Sequence, residues 1–266
     1  MLRFFCVFLP GLLALPALAC VELSGDTREG ALLWARVSPG SAVFLEDEAL
    51  RVSPEGIVVF GFSRDESGSK TLRVAGEMNC ERVLEVAGRE YRISRVEGVP
   101  QRTVEPAPED MERIRRERKL VRAAKANTSD RVDFAQGFQW PLTGRVSGVY
   151  GSQRFYNGKP GNPHWGVDVA RPTGTPVASP AYGTVTLAEP DLFYSGGTII
   201  IDHGSEVSSS FLHLSEVMVE VGQRVEPGDI IGKVGATGRA TGAHLDWRMS
   251  WRNRRVDPQL LVPPME

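Results

Sequence analysis

Short apolar runs cut by glycine- and proline-bearing turns recur from residue 21 to the C-terminus, and they constrain the fold more than any other feature. Glycine and proline destabilise helix interiors, the first through backbone entropy and the second through its missing N–H and fixed φ. With 28 Gly and 18 Pro in 266 residues, little room is left for long helices, and the apolar runs are of strand length. The pattern predicts a mainly β protein. In the first half the candidate strands are "ALLWARV", "AVFLEDEAL", "IVVFGF", "KTLRVA", "RVLEVA" and "YRISRV", separated by turn signals such as "SPEG" and "DESGS". Six short strands at this spacing predict a small β-sandwich of immunoglobulin-like type over residues 20–98.

One stretch departs from the pattern. After a linker rich in proline and polar groups, "VPQRTVEPAP", residues 109–126 read as a helix. Pro108 stands at its start, Glu109 and Asp110 complement the positive N-terminus, and Arg and Lys load the later turns. Met111, Ile114 and Val121 form a sparse apolar stripe, and the basic cluster "RIRRERK" reads as a solvated face. Residues 99–136 are thus read as a linker carrying this helix, and residues 137–266 as a second β domain.

The first nineteen residues read as a secretory signal, with Arg3 at the start, an apolar run from Phe4, and Ala17-Leu18-Ala19 before the cleavage point. The expected location is therefore outside the cytoplasm, periplasmic or in the cell envelope, with no membrane span left after cleavage. Cys20 and Cys80 then remain, and a disulfide between them is expected in an oxidising compartment. The alternative makes Cys20 a lipidated N-terminus. A formal net charge of −2 gives no basic field for nucleic acid.

All four histidines, His164, His203, His213 and His244, fall in the last 130 residues. In "HWGVDVA", His164 and Asp168 are expected on one strand and one face. In "TGAHLDWRMS", His244 and Asp246 occupy positions i and i+2 of a strand, again on one face. His213 lies in "FLHLS". Imidazole and carboxylate together suit zinc, whose catalytic sites use three protein ligands and one open position. Any one of these features alone is weak, but the order H-x-x-x-D, strand His, H-x-D is specific. His203, after "TIIID", is expected to be a structural histidine.

Residues 137–260 resemble the lysostaphin/LytM-type zinc metallopeptidases. "HWGVDVARPTGTPVASPAYGTV" is similar to their first-ligand segment, and the chain from "GGTIIIDHG" to "GAHLDWRM" follows the rest of their pattern. The resemblance implies a compact, mainly antiparallel β domain of LytM type with a groove, and zinc-dependent cleavage of stem or cross-bridge peptides of peptidoglycan. His164 and Asp168 match metal ligands, and His213 and His244 match catalytic histidines. The second position of the usual H-x-H, a metal ligand, is Asp246 here. This exchange adds a negative charge, which would lower the metal's Lewis acidity and favour harder divalent metals than Zn2+. Arg154 and Tyr156 flank the first motif and are expected to line the groove for substrate, with Trp165 nearby. Peptidoglycan is the expected partner, and the N-terminal module and basic helix offer surface for another cell-wall protein. A metal-free relative that regulates another wall hydrolase is the alternative function.

Overall fold

A computed structural model describes residues 20–77, 79–96, 107–126, 129–156 and 158–265. The signal expected over residues 1–19 and most of the proline-rich linker lie outside the described residues. The architecture is mostly β. The first half contains β1 (Leu23–Ser24), β2 (Leu32–Arg36), β3 (Ala42–Leu45), β4 (Glu48–Leu50), β5 (Ile57–Gly61), β6 (Gly68–Ala75), β7 (Cys80–Val86) and β8 (Ile93–Val96). They form two antiparallel sheets of order β1-β2-β5 and β4-β3-β6-β7, and β8 pairs elsewhere. The run "AVFLEDEAL", expected as a single strand, is a hairpin. Glu46 adopts φ 53°, and the chain reverses so that Leu45 pairs with Glu48.

Among the described residues there is one α-helix, α1 (Met111–Lys125), which follows a 3-10 turn over Pro108–Asp110. The second half contains β9 (Arg145–Gly148), β10 (Gln153–Tyr156), β11 (Lys159–Pro160), β12 (Val167–Ala170), β13 (Pro176–Ala178), β14 (Gly183–Leu192) and β15 (Gly196–Asp202). It continues through β16 (Val207–Leu214), β17 (Glu216–Val217), β18 (Arg224–Val225), β19 (Ile230–Lys233), β20 (His244–Trp251) and β21 (Arg254–Val256). The main sheet has the order β18-β14-β15-β16-β20-β12-β9, with β21 paired to β20. Alternation on β20 sends Leu245, Trp247, Met249 and Trp251 into the core and leaves His244, Asp246, Arg248 and Ser250 on the opposite face. Among the described residues, no helix is long and apolar enough to cross a membrane.

The two halves share one apolar core, which runs from Leu33, Val58 and Phe60 to Val167, Phe211 and Trp247. Trp34 meets Phe134 edge-on at 6.3 Å. β8 joins β10 in parallel pairing, and Tyr150 Oη accepts from Arg64 N–H while donating to the carbonyl of Arg255. Arg252 and Arg254 both bind Glu48, at 2.6 and 2.9 Å. The first half is therefore fixed against the β20–β21 end of the main sheet.

Helix α1 lies on the other face. Ile114 and Ala124 are buried, and Ala124 packs with Leu187, Leu192 and Ile200. Glu117 occupies the buried stripe that an apolar residue would normally fill. It is neutralised by Arg113 at 2.6 Å and accepts the N–H of Phe193 at 2.8 Å. Burying this carboxylate is tolerable only because it is paired. The exposed side carries Arg115, Arg116, Arg118 and Lys119.

His203 is fully buried, with both ring nitrogens engaged. Nδ1 faces the carbonyl of Tyr182 at 2.7 Å and must carry the proton, so Nε2 accepts from Ser209 Oγ at 2.8 Å. It is a structural residue, as its position beside "TIIID" led us to expect.

Two predictions follow from this packing. Cys20 and Cys80 form a disulfide spanning 60 residues of sequence, which uses the sulfur that a lipid anchor on Cys20 would need. In the chain-entropy description a loop of that size stabilises by about 4 kcal/mol. Cys80→Ser should lower the unfolding free energy by up to that amount in urea melts, with m raised because the unlinked denatured chain exposes more surface. Burial pushes His203 down to about 4 from its ordinary 6.5. The imidazole is neutral in both states above pH 6.5; below it the unfolded chain takes up the proton first. Stability should fall between pH 6.5 and 4 by on the order of 3 kcal/mol from this residue. Urea unfolding of wild type and His203→Asn at pH 7.5 and 5 measures the difference.

Candidate metal centre

Asp168 on β12 stands directly opposite Asp246 on β20. Facing residues on neighbouring strands have Cβ atoms about 5 Å apart, and like charges there repel. Something must hold two carboxylates in this position, and one partner is visible. The Arg248 guanidinium grips Asp246, with Nε 2.9 and 3.0 Å from its two oxygens and Nη2 2.5 Å from Oδ2. Burial alone would raise the Asp246 pKa, but Arg248 outweighs it and holds the carboxyl below its usual value. Among the described residues, no guanidinium pairs with Asp168 in this way.

His164 brings Nε2 to 2.9 Å from Asp168 Oδ1. The route differs from the one the sequence suggested. Two residues four apart on a straight strand are about 13 Å apart, too far to share an ion. His164 instead lies in the irregular segment before β12, and the chain bends back at Gly166. A Cβ at Gly166 would collide with the Trp247 carbonyl and come within 2.7 Å of Asp246 Oδ1. Gly148, paired with Asp168 on β9, is likewise required, because a Cβ there would strike Asp168 Oδ2. From the sequence Gly166 reads only as a residue that disfavours a helix and Gly148 as an ordinary turn or strand residue, so the steric requirement at both is a finding of the structure.

His164 Nε2 and Asp168 Oδ1 are both buried without a hydrogen-bond partner, their mutual approach lacking hydrogen-bond geometry. Together with a carboxylate oxygen of Asp246, they lie within 4.8 Å of one another. One imidazole nitrogen and two carboxylate oxygens, two of these atoms desolvated and unsatisfied, fit a divalent cation of the zinc class. The expectation of an uncompensated extra negative charge is corrected here. Arg248 cancels the charge of Asp246, so the set carries the same net −1 as a donor set with a single carboxylate.

Two more imidazoles border this cluster. His244 Nδ1 donates to the carbonyl of Gly242 at 2.8 Å, and its Nε2 is 3.9 Å from Asp168 Oδ1. His213 Nδ1 donates to the carbonyl of Thr237 at 2.8 Å, and the two rings are 4.9 Å apart. Both therefore carry a lone pair on Nε2. Burial lowers the His213 pKa, which keeps the ring neutral near pH 7. His213 reaches this face only through a β-bulge. Strict alternation from Phe211 would point it into the core, but its φ of 65° and the extra residue between Phe211 and Leu214 turn it outward.

The flanking residues contribute less to the cluster. Arg154 is exposed on β10, its carbonyl accepting from Gly161 N. The backbone of Tyr156 closes the same strand, and its side chain lies outside what is described. Trp165 packs against Tyr150 with ring centroids 6.2 Å apart.

Comparisons with known proteins place the region that carries these residues in a family. The Peptidase family M23 profile matches residues 162–258, which include His164, Asp168, His213, His244 and Asp246. The curated relatives include the peptidoglycan DD-endopeptidases ShyA and ShyB of Vibrio cholerae. ShyA is 40% identical over 39% of this chain and ShyB 42% identical over 44%. The matched region spans about a quarter of the length of each, 24% in both cases. Among solved structures, the putative peptidase M23 of Pseudomonas aeruginosa superimposes with a TM-score of 0.67 at 32% identity, covering 89% of this chain and 95% of that one. The chain belongs to Peptidase family M23.

Proposed function

We propose that this protein is an exported, metal-dependent endopeptidase that hydrolyses stem or cross-link peptides of peptidoglycan. The observation that carries the reading is the convergence of His164 Nε2 and Asp168 Oδ1, both buried and unpaired, beside Asp246. Relatives named as peptidoglycan DD-endopeptidases support the substrate class. The disulfide fits an oxidising compartment.

In this reading His164, Asp168 and Asp246 would hold a divalent cation, with zinc the first candidate. When bound, such an ion acts as a Lewis acid on the scissile carbonyl and acidifies water. The protein's own residues do the rest. Arg248 fixes the Asp246 carboxylate in one orientation and offsets its charge. His213 and His244 present Nε2 as proton acceptors, their tautomers set by the carbonyls of Thr237 and Gly242. One imidazole takes the proton of the attacking water, and the protonated ring can return it to the leaving amine. Arg154 and Tyr156 are assigned to substrate along β10.

Digestion of purified peptidoglycan sacculi by the mature protein, with fragments identified by mass, tests the reading. Chelator-sensitive release of peptide fragments, restored by zinc or manganese, is expected; no release under any metal condition would sink it. His213→Ala or His244→Ala should lower kcat at least about 100-fold while metal content is unchanged. Asp246→Ala should lose metal, measured by elemental analysis. Arg248→Ala leaves a buried carboxylate unpaired, which costs about 3 kcal/mol. Adding zinc should recover part of that loss in thermal melts, since the cation then supplies the missing positive charge.

A further inference from the structure

The face of β20 that bears Asp246 continues to Arg248 and Ser250, and there its character changes. Ser250 Oγ receives two cationic donors, Lys125 Nζ from the end of α1 at 3.1 Å and Arg255 Nη1 from β21 at 2.7 Å. Neither cation has a carboxylate within ion-pair reach among the described residues, and Arg248, the third cation here, is committed to Asp246. On the neighbouring strand β16, Ser208 faces Ser250 and Ser210 faces Arg248. Both serines are 3% exposed, and their buried hydroxyls have no hydrogen-bond partner. Asp202, next to Ser208 on β15, is held by Arg131, Ser129 Oγ and the N–H of Gly204. The cluster thus collects three cations and three hydroxyls; of the carboxylates beside it, Asp246 is taken by Arg248 and Asp202 by Arg131.

Such a cluster is costly as it stands. Cations are seldom buried unpaired, and burial together with Arg255 and Arg248 pushes Lys125 well below its ordinary value. Hydroxyls without partners add their own desolvation cost. An oxyanion placed here would satisfy all of these groups at once, accepting from Lys125, Arg255 and the serine hydroxyls. Lys125 and Arg255 keep part of their surface in water, and Arg248 keeps 28% of its side chain exposed, so a ligand reaches the cluster from its cationic side.

We propose that Lys125, Arg255, Ser208, Ser210 and Ser250 form an anion subsite that takes a carboxylate of the peptide substrate, about 13 Å along β20 from Asp246. The inference rests on the peptidase reading for the identity of the anion. That distance is about four residues of extended peptide, so the carboxylate belongs to a side chain or chain end away from the scissile bond. Helix α1 is then part of the substrate site, since Lys125 reaches the cluster from its last turn.

The test uses metal-loaded, full-length mature protein carrying His213→Ala to suppress turnover. Titration calorimetry compares a peptidoglycan-derived tetrapeptide with free carboxylates, the same peptide with its carboxylates amidated, and inorganic phosphate. The free acid should bind at least tenfold more tightly than the amide. Lys125→Met and Arg255→Met, singly and together, should abolish that preference while leaving the affinity for the amide unchanged. Both side chains are partly buried, and a thermal melt checks that the fold is kept. Equal affinity for acid and amide in the parent, or a preference that survives the double substitution, would overturn the subsite. Phosphate binding that equals the free acid and is lost in the same variants identifies a general oxyanion site and overturns the assignment to substrate. Sacculus digestion by the His213-containing protein separates the two claims. Acid preference without cleavage would retire the peptidase reading alone, and cleavage without acid preference would retire the subsite alone.

Discussion

The opposition of Asp168 and Asp246 across β12 and β20 is the constraint on which the site depends. Two carboxylates at facing positions repel, and one is 2% exposed. The arrangement persists only if positive charge is supplied from both sides. Arg248 supplies it for Asp246 and leaves Asp168 to the unsatisfied pocket beside His164. Gly148 and Gly166 then follow as steric requirements, because the carboxylates and the returning chain occupy the volumes where side chains would stand. The bulge that turns His213 outward completes the ring of donors.

The pairing of Asp246 with Arg248 also bears on why an aspartate can stand where relatives with an H-x-H pattern have an imidazole. A carboxylate gripped by a guanidinium has roughly the net charge of neutral imidazole and keeps oxygen lone pairs to donate. A lone aspartate would make the site one charge more negative. The aspartate and the arginine are therefore best understood as one unit, spaced i and i+2 so that both stand on the same strand face.

The rest of the molecule holds this sheet from both faces. The first half shares a continuous core with the second and is tied to it by Glu48, Arg252, Arg254 and Tyr150. Helix α1 covers the β14–β15 side of the face that bears the site, through Ala124, Leu187 and Ile200. Its last turn ends beside Ser250. The helix therefore borders the site-bearing face at its Ser250 end, and in the proposed subsite its Lys125 is one of the cations that would meet the substrate carboxylate.

Local information in the sequence was enough for the fold class, most strands, the helix and the choice of candidate histidines and aspartates. Strand alternation and turn residues act over a few positions and leave a legible trace. The structural role of His203 was also legible, from its place at the end of a buried apolar run. The hairpin within "AVFLEDEAL" was missed because Glu46 gives no glycine signal for its positive φ.

What only the tertiary structure decided are the contacts between distant segments. His164 meets Asp168 through a bend over β20, because a straight strand would have kept them apart. His213 faces the site because a bulge overrides alternation. Arg248 neutralises Asp246, and Lys125 approaches Ser250 from 125 residues away. The sequence by itself determined which chemistry was available and on which strands. Register, bulges and helix docking decided which charges meet, because these depend on packing between elements far apart in the chain and not on any local preference.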